Sequence, residues 1–147
     1  AAFTAGLLHD IGQLVLASAY SERFAQVLAF RSCEGVELRE AEQALLGTDH
    51  AAVGALVAEA WHFPSQIVTA IRNHHSVSPD TEDNLLAATV RMAGRLAEAL
   101  EHKTGSAQSL ALGRDAGIEF GISADAWLVL ALDAEVQTQA ICAALLN

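Results

Sequence analysis

The sequence predicts an all-α fold, a single compact bundle of about seven helices. Three observations carry this. Apolar residues recur at spacings of three and four, only two prolines and ten glycines punctuate 147 residues, and no stretch alternates as a strand would. With 52% apolar residues and a mean hydropathy of +0.31, residues 1–147 can build the core of one domain, which excludes a disordered chain.

Element by element, residues 2–19 read as a first helix, with Leu7, Ile11 and Leu14 one turn apart on its apolar face. Ser21 is placed to cap a second helix ending near Cys33, and Val36 to Leu46 form a third that stops at Gly47. Thr48 or Asp49 caps a fourth helix running to Trp61, with Val53, Leu56, Val57 and Ala60 as its apolar face. Pro64 opens a fifth helix through His75, since its missing N–H costs nothing in a first turn. Residues 76–80 read as a polar turn, and Asp80, Glu82 and Asp83 favour the positive end of a sixth helix that finishes near Lys103 and Gly105. A glycine-containing loop over 105–122 leads to a last helix from Ser123 to Leu146.

Charge narrows the function classes. Eighteen acidic against eight basic side chains give −10, and the basic residues are scattered singly, so neither nucleic acid nor an anionic membrane surface is an expected partner. No run of about 18 uninterrupted apolar residues offers a membrane span. The apolar start lacks a basic region and carries His9 and Asp10, unlike a signal peptide. Cys33 and Cys142 have no metal or redox spacing; they read as small core residues in a reducing cytoplasm. The sole methionine is Met92, so the chain is expected to be a fragment of something longer.

Six histidines concentrate the chemistry. Asp10 lies at the edge of the first apolar stripe with His9 beside it, and a carboxylate there must be paired, hydrogen-bonded or metal-bound. His50 opens the fourth helix, and His74 and His75 close the fifth one turn beyond Ile71. Imidazoles and a carboxylate at helix ends form a ligand set for Zn, Mn or Fe, or equally a satisfied buried His–Asp contact. His62 and His102 read as solvated or capping. Gly6, Gly12 and Gly54 read as close helix packing, since no strand precedes them as a phosphate-binding loop requires. Trp61, Trp127 and the phenylalanines are candidate core or interface residues, and the acidic run Glu34 to Glu42 is a candidate solvated face.

Three blocks in order carry a family resemblance. Ala5-Gly6-Leu7-Leu8-His9-Asp10-Ile11-Gly12 resembles the signature helix of the HD superfamily. Glu42-Gln43-Ala44-Leu45-Leu46-Gly47-Thr48-Asp49-His50, followed by Trp61-His62-Phe63-Pro64 and Ile71-Arg72-Asn73-His74-His75, resembles its HDOD branch, the HD-related output domains of bacterial signalling proteins. The family's domain begins with further helices, so the resemblance implies an HDOD-like domain over 1–147 whose N-terminal helices are missing, leaving apolar surface for a neighbouring domain or partner.

In the catalytic HD phosphohydrolases and the HD-GYP phosphodiesterases, the resemblance implies a metal site on His9, Asp10, His50, His74 and His75. Two departures weaken it. Gln13 stands where the enzymes commonly carry lysine, and Gly94 stands where a later aspartate ligand falls. Metal-assisted phosphoester hydrolysis needs firmly held ions, open positions and cationic help for phosphate. The expectation is therefore a non-catalytic regulatory domain with a vestigial site and no required cofactor, acting through other domains of its polypeptide or signalling proteins, with self-association open. The competing expectation is a metal-dependent phosphohydrolase acting on cyclic dinucleotides, with a divalent transition metal.

Overall fold

The computed structural model describes residues 1–75, 82–101 and 121–145. All regular structure among them is helical: α1 Ala2–Leu8, α2 Ile11–Ala19, α3 Ser21–Glu34, α4 Leu38–Leu46, α5 His50–Ala60, α6 Ser65–Asn73, α7 Glu82–Glu101 and α8 Ala124–Leu145. The fold is all-α, as expected. Asp80, the polar turn at 76–80, His102, the helix end at Lys103 and Gly105, and nearly all of the 105–122 loop lie outside the described residues.

The chain divides into two compact units, Ala1–Val90 and Arg91–Asn147. In the first, α5 packs against α2 and α6, α1 lies on α6, and α3 joins α4 and α2. Leu16, Phe24, Val27 and Ala41 form a cluster buttressed by Phe30, Val36, Leu38, Leu46 and Val53. Burying a side chain such as Val27 completely stabilises the fold by about 1.5–3 kcal/mol. In the second unit, Trp127 packs on Met92, Leu96 and Ile122.

The helix expected over 2–19 is broken. His9 Nδ1 donates to the Gly6 carbonyl at 2.7 Å, and Asp10 takes φ −100°, ψ 11°, outside the helical region. The break resets the helical phase: Ala5, Gly12 and Leu16 face inward, while Leu7 and Leu14, expected inside, are 71% and 66% exposed.

Helix α5 buries a different face from the one its large residues suggested. Ala51, Gly54, Ala55 and Ala58 are inside, Val53 and Val57 are half-buried, and Leu56 and Ala60 are exposed. The reason is close approach to α2. A Cβ on Gly12 would overlap the His50 carbonyl oxygen and come within 2.8 Å of the Gly54 amide nitrogen, so only glycine fits there. A Cβ on Gly54 would sit tightly, 3.1 Å from Ile71 Cγ2 and 3.3 Å from the Gly12 nitrogen, whereas Gly6 faces open space, contrary to the packing role expected for it.

Several local expectations need correction. Tyr20 holds the cap position of α3, and no side chain caps that end. Pro64 caps α6 in an extended conformation, its carbonyl accepting from Ile67 and Val68 at 2.9 and 3.2 Å. Cys33, Cys142 and Trp61 are exposed rather than buried, while Trp127 is core.

Candidate metal centre

The centre forms where the α1–α2 break, the start of α5 and the end of α6 meet. Gly47, at φ +71°, ends α4 in the left-handed conformation and turns the chain into α5. Asp49 then caps α5, its Oδ1 accepting the Ala52 amide at 2.8 Å, while its Oδ2 accepts from Arg39 and Gln43 at 2.8 and 2.7 Å. Burial would raise the Asp49 pKa, but Arg39, the Ala52 amide and Gln43 outweigh it and hold it at about 2. His50 is thereby fixed as the first residue of α5, almost wholly buried.

Asp10, His50, His74 and His75 each bring one ligand-capable atom to a common point, all four within 4.8 Å of one another. Asp10 Oδ1 lies 3.4 Å from His50 Nε2 and 3.6 Å from His74 Nε2. Donors bound tetrahedrally at about 2.1 Å stand roughly 3.4 Å apart, so these spacings already suit a small divalent cation. His50 Nε2 and His75 Nε2 are 2.7 Å apart and would separate by about 0.7 Å around such an ion.

The tautomers follow from the partners. His74 Nδ1 donates to the Ile71 carbonyl at 2.7 Å, which leaves Nε2 a buried lone pair with no hydrogen-bond partner, facing the Asp10 carboxylate. Two acceptors placed so need a proton or a cation between them. His50 Nδ1 donates to Glu42 Oε2 at 2.6 Å, so its Nε2 accepts from His75 Nε2 in the neutral pair.

Protonation states also suit a cation. Burial alone would raise the Asp10 pKa; a proton donated by His74, with the positive charge of His9 and His50 when protonated, outweighs it and holds the group at about 2. Desolvation, then repulsion from His74 and His50, lowers the His75 pKa to about 3. At neutral pH Asp10 is thus a carboxylate and His75 a neutral imidazole, the forms that bind metal.

His9 flanks the group. Its Nε2 is 3.3 Å from the other Asp10 oxygen, and its ring stands edge-on to His74 with centroids 5.0 Å apart. His62 lies apart, exposed on the turn after α5 at φ +57°.

Glu42 was missed. Read as part of a solvated acidic run, it is completely buried, whereas Glu34, Glu37 and Glu40 of that run are exposed. The available signal was spacing: Glu42 lies four residues from both Leu38 and Leu46, two apolar residues packed on the core.

The family model of the HDOD domain matches residues 1–77. The chain belongs to the HDOD family. The chain is 27% identical over 103 residues to an uncharacterized protein of Treponema pallidum (strain Nichols), a match covering 69% of this chain and 20% of that protein. A crystal structure of a protein provisionally named a phosphohydrolase, from Shewanella amazonensis SB2B, superposes with a TM-score of 0.71 at 27% identity. The superposition covers 90% of this chain and 49% of that one, so the chain spans about half of the solved neighbour and a fifth of the relative.

Proposed function

We propose that this HDOD domain is a non-catalytic regulatory module whose His/Asp centre holds one divalent transition metal as a staple between the α1–α2 break, α5 and α6. The observation that carries this is the donor count: one carboxylate and three imidazoles from the protein bring their ligand atoms within 4.8 Å of one another. Structural metal sites take four ligands from the protein, whereas catalytic ones take three and keep a position for water or substrate. In an open site the metal would supply an activated water and polarise the phosphoryl group. Gln13 in place of lysine and Gly94 in place of aspartate support the same reading. The module would act through other domains of its polypeptide or through signalling proteins, in the cytoplasm, where exposed Cys33 and Cys142 stay reduced.

The test pairs metal analysis of protein purified without chelators with hydrolysis of cyclic dinucleotides and of a chromogenic phosphodiester in added Mn²⁺ or Fe²⁺. About one bound equivalent of metal and no turnover are expected. Hydrolysis that disappears with His50→Ala or Asp10→Asn would overturn the proposal.

The second reading is a metal-dependent phosphohydrolase. It draws on the name of the Shewanella amazonensis neighbour and on His9, which approaches the free Asp10 oxygen as a further donor. His9→Ala distinguishes the two: turnover lost with this variant favours the enzyme, while a staple keeps its metal without His9.

A further inference from the structure

Helix α4 grips the start of α5 with three side chains. Arg39 and Gln43, one turn apart, hold Asp49; Glu42 holds His50. Glu42 does so twice with one oxygen. Its Oε2 accepts the His50 ring Nδ1–H at 2.6 Å and the His50 backbone N–H at 2.9 Å, fixing both ring and main chain. The other oxygen, Oε1, is buried without a hydrogen-bond partner. A completely buried carboxylate with half its accepting capacity unused is costly. Its two bonds both go to one residue of the centre.

We propose that Glu42 is a positioning residue for the centre: it holds His50 in the tautomer with the proton on Nδ1, and so turns the Nε2 lone pair toward Asp10, His74 and His75. Without the carboxylate, His50 is free to place its proton on Nε2, where it would point into the donor set and block it. A carboxylate behind an imidazole also raises the basicity of the ligating nitrogen, and loss of such a partner typically weakens metal binding by about 10–100-fold. The assignment rests on the geometry of His50 and deepens the metal reading given above.

The experiment is long-range ¹H–¹⁵N correlation NMR of the histidine side chains in the 147-residue chain, metal-free, with Zn²⁺ titration alongside. Wild type is expected to show His50 protonated on Nδ1. In Glu42→Gln, the population should move toward Nε2–H and the Zn²⁺ dissociation constant should rise by about 10–100-fold. Unchanged tautomer populations in Glu42→Gln, or a wild-type His50 protonated on Nε2, would overturn the assignment. Should Glu42→Gln lose its helical circular dichroism, the wild-type spectrum decides by itself. Wild-type protein that takes up no Zn²⁺ yet shows the Nδ1–H form would sink the metal staple while supporting the role of Glu42.

Discussion

Helices α5 and α8 are both apolar on nearly every side, yet they are used in opposite ways. Over eleven residues α5 buries His50, Ala51, Gly54, Ala55 and Ala58; over twenty-two, α8 buries only Trp127 and Ala131 among its described neighbours. Val129, Val136, Ile141 and Leu145 of α8 are exposed. The difference is side-chain size rather than hydropathy. Alanine and glycine let α5 approach α2 at backbone distance and place His50 at the centre, whereas one tryptophan anchors α8 to α7. By length and composition α8 could also cross a membrane, but Asp133 and Glu135 sit near its middle, where each charge costs about 2.5–3.5 kcal/mol.

The contrast can be broken most forcefully at His50. His50→Ala takes the ring from the buried Glu42 carboxylate and leaves it only the backbone N–H of residue 50, and should cost about 3–5 kcal/mol by urea unfolding. Gly12→Ala forces a methyl group onto the His50 carbonyl and should lose about 1–3 kcal/mol, while Gly6→Ala, facing open space, should be neutral or slightly stabilising in the same assay. A loss equal at both glycines would refute the close approach of α2 to α5. Asp49→Ala removes the α5 cap and the partner of Arg39 and Gln43, and should lower stability by about 1–2 kcal/mol. At the small end, Val129→Gln and Val136→Gln on α8 should each change stability by under about 0.5 kcal/mol.

Acid tests the centre as a unit. His75 and Asp10 both have folded pKa values below those of the unfolded chain, so the unfolded state binds protons first. For His75 the stability present above pH 6.5 is lost as pH falls toward 3; for Asp10 and Asp49 it is present above 3.8 and lost toward 2. The melting temperature should therefore fall from pH 7 to pH 4, and His75→Asn should flatten the upper part of that decline.

Much of this was readable in the sequence, for physical reasons that also mark where reading stopped. The all-α class followed from periodicity, and Asp49, Gly47 and Pro64 delimited α5 and α6 because caps and breakers act locally. Asp10, His50, His74 and His75 were singled out by residue type at helix ends, and the fold brings their donor atoms together. The break at His9 and Asp10 was invisible because neither residue is a breaker; it depends on a ring nitrogen taking the Gly6 carbonyl. Leu7, Leu14 and Leu56 misled because the largest apolar residues were assumed to face inward, whereas helices this close admit only small ones. Glu42 was hidden by its acidic neighbours, since charge composition does not distinguish one inward carboxylate from three outward ones.

The two hydrogen bonds that His50 donates to Glu42 also bear on the timescale of opening. First-turn amides of a helix ordinarily exchange with solvent within the fraying of that end, but the His50 amide is held by Glu42 and the Ala52 amide by Asp49. Their deuterium uptake should be slow and matched to each other, governed by the rate at which α4 swings away from α5 rather than by local unwinding. The start of α5 would then be among the last parts of the first unit to open.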